Sequence, residues 1–140
     1  MSNKLSQLSL EELWQLFPIY LTEHCERWSS WYMEEEEFLH KVLPLPQLKQ
    51  ISHIGSTAIK GIWAKPIIDI LVEVKTGTDL RIISNLLQQN GYLCMSEAKC
   101  RISLNKGYTE HGFAQKVYHL HLRYAGDNDE LLFRDYLNRH

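Results

Sequence analysis

The chain is poor in the features that mark exported, membrane-spanning or polyanion-binding proteins. Its 140 residues hold only three cysteines, Cys25, Cys94 and Cys100. The number is odd and no pair has Cys-x-x-Cys spacing, which excludes a disulfide framework and a zinc or redox site of that type and fits free thiols in a reducing cytoplasm. Nowhere do 18 apolar residues run together, and Met1-Ser-Asn-Lys4 opens no signal-peptide core, so neither a membrane span nor export is expected. Charge of either sign is not in excess. A net charge of −2 creates no long-range field to gather nucleic acid or anionic lipid, so nucleic acid is not an expected partner. Repeats, low-complexity tracts and linkers are also missing, so residues 1–140 are expected to form a single domain. At this length it buries about two-thirds of the surface its unfolded chain would expose.

What is present is the patterning of an α/β (α+β) domain. Ser9-Leu-Glu-Glu12 has the form of a capping box, and Leu10, Leu13, Trp14 and Phe17 follow at helical spacing up to Pro18. Trp28, Trp31, Tyr32, Phe38, Leu39 and Val42 repeat at three and four as a core stripe, with Glu34 to Glu37 mostly on the solvated side. Leu43-Pro-Leu-Pro46 breaks that helix. Gln47 to Ile54 reads as a strand ending in a glycine turn, and Pro66 to Val74 as the clearest strand of all. Ile68, Ile70, Val72 and Val74 give the latter one apolar face, while Ile67, Asp69, Leu71 and Glu73 give a mixed face suited to a cleft. A helix is expected over Leu80 to Gln89, capped by Thr78 or Asp79 and closed by Asn90-Gly91. Strands follow near Tyr92 to Met95, Arg101 to Asn105 and Lys116 to Tyr124, the last two joined by a Gly/Thr/His-containing loop. Asn128 to Arg139 closes the chain as a helix.

Three features could carry chemistry. His53-Ile-Gly-Ser-Thr57 ends a strand in a small-residue turn expected to open a helix. Such a turn can offer amides and hydroxyls to a phosphate, with Lys60 and Lys65 near in sequence, or it can be plain turn chemistry. Asp69 stands in an otherwise apolar strand, where a carboxylate needs a partner. It is either an anchor for the glycine loop or part of a functional cleft. His119-Leu-His121 places two imidazoles on one strand face, roughly 7 Å apart at their origins, with Arg123 on the same face. With Asp69 they form a candidate site for a divalent metal (Mg, Mn or Zn) or a phosphate, the alternative being a polar sheet face. His24, His40, His111 and His140 have no comparable surroundings.

The run His53-Ile-Gly-Ser-Thr-Ala-Ile-Lys-Gly-Ile-Trp-Ala-Lys-Pro-Ile-Ile-Asp-Ile-Leu-Val72 strongly resembles the signature of the GrpB family. His119-Leu-His-Leu122 and Leu132-Phe-Arg-Asp-Tyr-Leu137 match its second and third blocks, and Leu13-Trp-Gln-Leu-Phe-Pro18 and Trp28 extend the likeness along nearly the whole chain. The resemblance implies a nucleotidyltransferase-like mixed β-sheet flanked by helices. In that fold Gly55 and Ser56, with Thr57, Lys60 and Lys65, would hold phosphate, and Asp69 would be the catalytic, metal-binding carboxylate. Fusion of some members to dephospho-coenzyme A kinase hints at a nucleotide or coenzyme A context. The second acid of a two-metal site would stand two residues after Asp69, where this chain has Leu71, and Glu73 lies about 13 Å along the strand. Lys60 replaces a usual proline. The family's last helix would lie beyond the end of the chain, and a homodimer could cover the surface left open.

Two functions are therefore expected to compete. The first is a cleft binding a nucleotide or other phosphorylated small molecule, with Ser56, Thr57 and Lys60 on phosphate and Asp69, His119 and His121 on a metal or sugar. A single metal held by one carboxylate and two imidazoles would suit hydrolysis or phosphoryl transfer. The second is an accessory module in which the glycine turn, His53, Asp69 and the histidines are internal bonds and exposed aromatics dock a partner protein.

Overall fold

The computed structural model describes residues 21–139. The capping box at Ser9 to Glu12, the apolar stripe that follows it and His140 lie outside them. The first helix of the described residues, α1 (Arg27–Val42), buries Trp28, Tyr32, Glu35 and Leu39, a stripe at the helical repeat. It stops where Leu43 turns extended, its N–H still bonded to the Leu39 carbonyl; Pro44 and Pro46 follow and cannot continue a helix. Glu35 departs from the expected solvated face: it is buried, accepts the Tyr92 hydroxyl at 2.7 Å and pairs with Lys106 at 2.9 Å. The Lys106 ammonium lies 4.4 Å from the Phe38 ring centroid. Satisfied in this way, a carboxylate can occupy a core position.

Among the described residues, five strands form one mixed sheet in the order β1-β2-β5-β4-β3. They are β1 (Leu48–Ile54), β2 (Ile68–Val74), β3 (Leu93–Glu97), β4 (Arg101–Thr109) and β5 (Gly112–Tyr124). Only β2 and β5 pair in parallel, with Asp69 beside His119, Leu71 beside His121 and Glu73 beside Arg123. Helix α2 (Leu80–Gln89) begins at Asp79, whose carboxylate accepts the Arg81 N–H at 3.0 Å. Gly91, at φ 99°, turns the chain out of it. The closing helix is α3 (Asp129–Arg139).

Strand alternation separates two faces. Ile51, Ile68, Ile70, Val72, Val74, Ile102, Leu104, Leu120 and Leu122 pack with Trp28, Tyr32 and Leu39 of α1 and with Leu80, Ile83 and Leu87 of α2 to make the main core. On the opposite face a small cluster of Ile54, Leu71 and Leu131 seats α3 against β1 and β2. That helix leaves the neighbouring stretch of β2 and β5 accessible, and the polar side chains gather there.

The loop expected between β4 and β5 is instead a tight hairpin closed by the Thr109–Gly112 pair, so both strands run further than their sequence patterns suggest. Between the Lys106–Tyr118 and Tyr108–Phe113 pairs the register shifts. Gly107 sits there at φ 97°, where a side chain would strike the Lys116 carbonyl. This bulge breaks the two-residue alternation: Lys106 points to the helical face, and Tyr108 turns to the other.

Candidate functional site

Asp69 lies near the start of β2 on the face that α3 leaves open. Its Oδ1 is 3.2 Å from His121 Nε2 and 3.9 Å from His119 Nδ1. The three side chains are 27%, 26% and 28% exposed, enough to meet a ligand. His119 Nε2 is 2.6 Å from the Tyr108 hydroxyl, and the two rings stack with centroids 5.7 Å apart. The 3.9 Å to Nδ1 is beyond hydrogen-bond reach, so the Asp69 charge favours a proton on Nδ1 without fixing it there; in that tautomer Nε2 accepts the Tyr108 O–H. Burial lowers the His119 pKa against the opposing pull of Asp69, while His121 and Lys65 add to the lowering. Burial, and secondarily Asp69, raises the Tyr108 pKa. Lys65 lies near enough for its charge to act on His119.

Gly55 completes one wall. It stands at φ 75° and ψ −172°, a conformation essentially open only to glycine. A Cβ there would lie 2.5 Å from Asp69 Oδ2. The backbone of the turn therefore rests directly on the carboxylate. Beyond it only a single 3-10 turn, Ser56–Ala58, forms in place of the expected helix. Ser56 is exposed at its start.

The rest of the glycine-turn signature is structural. His53 pairs with Ile70 across the sheet and so projects to the helical face, where it stacks on Tyr32 at 4.8 Å. Thr57 is buried, its Oγ1 3.2 Å from the Ile67 carbonyl and 2.9 Å from His53 Nε2. A hydroxyl has one proton, so His53 Nε2–H donates to Thr57, whose own proton goes to Ile67. Its hydroxyl is thus turned away from any phosphate. Lys60 is exposed and its N–H donates to Asn138. Helix α3 clamps this turn: Arg134 donates to the His53 carbonyl at 2.9 Å and Asn138 Nδ2 to the Ala58 carbonyl at 3.0 Å. That is the physical role of the third sequence block.

The outer residues of the polar face are also committed elsewhere. Arg123 grips both oxygens of Glu130, at 2.7 and 2.6 Å. Glu73 is buried and accepts the Gly126 N–H at 3.0 Å, which anchors the turn before α3. Leu71, at the place of a second catalytic acid, is sealed under Leu131. Among the described residues no group of three or more His, Cys, Asp or Glu side chains is arranged to hold a metal ion. With Leu71 apolar and both His119 nitrogens facing protein partners, the residues present do not fit a paired-metal centre. Tyr108 is the member that sequence reasoning missed. The signal for it was Gly107 inside a strand, the mark of a bulge.

Comparison with known proteins follows this geometry. The family described as GrpB protein matches residues 18–140. The chain is 38% identical over 125 residues to the Glutamate-rich protein GrpB of Alkalihalophilus pseudofirmus, covering 86% of this chain and 71% of that protein. It is 32% identical over 143 residues to the UPF0157 protein YqkA of Bacillus subtilis, covering 98% of this chain but 40% of that protein. A crystal structure of conserved protein GrpB from Enterococcus faecalis superposes with a TM-score of 0.72 at 29% identity, covering 86% of this chain and 73% of that one.

Proposed function

The chain belongs to the GrpB family, and on that premise we propose that the open polar face of its sheet binds a phosphorylated small molecule, with a nucleotide as the leading class. The observation that carries this reading is the convergence of Asp69, His119 and His121 on the accessible part of the face, beside a glycine turn that admits no side chain. Asp69 orients the two rings. Ser56, Lys65 and the His121 ring nitrogen not turned to Asp69 supply the donors, and Lys65 the positive charge, that a phosphate needs. The residues do not match a two-metal nucleotidyl transfer site, so no metal step enters this reading.

The test is thermal melting against nucleotides and coenzyme A precursors, each with and without Mg²⁺, Mn²⁺ or Zn²⁺. A ligand at about 100 times its Kd stabilises the folded state by about 2.7 kcal/mol, a rise of several degrees. Asp69→Asn should abolish that rise. A flat panel, or a rise unchanged in Asp69→Asn, would sink the proposal. The accessory-module reading is favoured by one observation, the exposure of Leu132, Phe133 and Tyr136 on α3. A stoichiometric protein partner, together with a flat ligand panel, would establish it instead.

A further inference from the structure

The bulge at Gly107 has a chemical result. It brings Tyr108 onto the face of Asp69 and His119 and sets a hydroxyl 2.6 Å from an imidazole nitrogen whose ring has its other nitrogen towards a carboxylate. In the tautomer that the Asp69 charge favours, His119 Nε2 accepts the tyrosine proton. A hydroxyl, a base and a group that orients the base are the parts of an activated nucleophile, and apo separations of the third member are often loose. An ordinary strand would have pointed Tyr108 into the helical face with Lys106.

We propose that Tyr108 is the nucleophile of this cleft, with His119 as its base and Asp69 as the orienting carboxylate, and that its electrophile is a phosphorus centre carrying a good leaving group. In the step, the Tyr108 oxygen forms a bond to phosphorus. The bond from phosphorus to the leaving group breaks, the leaving group takes the electron pair, and the phenol proton passes to His119 Nε2. With a phosphoanhydride the leaving group is a phosphate or pyrophosphate; with a phosphoryl fluoride it is fluoride. Burial keeps Tyr108 protonated before reaction, so the chemistry depends on the base. The inference rests on the phosphate reading only for the class of electrophile.

The experiment treats the full chain with diisopropyl fluorophosphate and follows modification of each tyrosine by peptide mass mapping. Tyr136, 59% exposed, serves as the internal reference. Tyr108 is expected to react at least tenfold faster than Tyr136, and His119→Ala should bring it down to the reference rate. Reaction at Tyr136 as fast as at Tyr108, or an unchanged rate at Tyr108 in a folded His119→Ala protein, would overturn the assignment. The ratio within the unmutated chain decides the matter even if the variant does not fold. Labelling needs no bound nucleotide, so the two proposals fail separately. An unreactive Tyr108 in a protein that melts higher with nucleotide removes the nucleophile alone, and a reactive Tyr108 beside a flat ligand panel removes the phosphate site alone.

Discussion

Replacing Gly55 by alanine probes the contact on which the cleft is built. Two effects add. The backbone at φ 75° and ψ −172° lies in a region that strains a non-glycine residue by about 1–3 kcal/mol. The new methyl would also meet Asp69 Oδ2 at 2.5 Å and its Cβ and Cγ at 3.0 Å. Because the Asp69 Cβ is fixed to β2, rotation cannot relieve all of this, and overpacking of this kind adds about 1–3 kcal/mol. The expected loss of stability is about 2–6 kcal/mol, which lowers the melting temperature by about 8–24 °C for a chain of this size. Gly61→Ala is the control: φ is 79° and nothing lies within 4 Å of its Cβ position, so only backbone strain of about 1–2 kcal/mol applies. Thermal and urea unfolding of both variants, and of Gly55→Ala combined with Asp69→Ala, close the comparison. Removing the carboxylate should recover part of the Gly55→Ala loss, a coupling expected only of residues in contact. Equal losses for Gly55→Ala and Gly61→Ala, with no coupling to Asp69, would refute the reasoning.

Acid should weaken the fold through His53. Burial holds its pKa down to about 4, against the opposing charge of Asp69, whereas the unfolded chain takes up the proton near 6.5. The stability is therefore fully present above about pH 6.5 and is lost as pH falls through about 4; about 2 kcal/mol should go between pH 7.5 and 5. Urea titrations at the two pH values measure this loss, and His53→Asn should flatten that part of the profile. Glu35→Ala should destabilise the chain by about 2–4 kcal/mol, because it strands the Lys106 ammonium and the Tyr92 hydroxyl. Glu35→Gln, which still accepts from Tyr92, should lose about half as much; equal unfolding midpoints for all three chains would contradict a structural role.

Much of the fold was legible because short-range patterns determine it. The apolar alternation of β2 and β5, the Asp79 cap and the Asn90-Gly91 stop of α2 depend on residues within a few positions of each other, and the structure places them as the patterns indicate. The convergence of Asp69, His119 and His121 was half legible: alternation put each on a mixed strand face, but only the parallel pairing of β2 with β5 set those faces side by side. The exchange of roles within the glycine signature was not legible. His53 and Thr57 look like site residues in sequence, yet the pairing of β1 with β2 turns His53 under α1, and α3 holds the turn from residues about 80 positions away. Glu35 reads as one of four solvated glutamates until the turn before β3 brings Tyr92, and β4 brings Lys106, to it.

The sequence by itself thus determined most of the described elements, the family and the presence of a polar strand face, since these follow from local periodicity and from a specific run of residues. Tertiary structure alone decided which polar side chains meet on that face, because strand order, register and the irregularity opposite Gly107 are settled by packing between segments distant in the chain. That is why Leu71 became a seat for α3 and Tyr108 became a neighbour of His119.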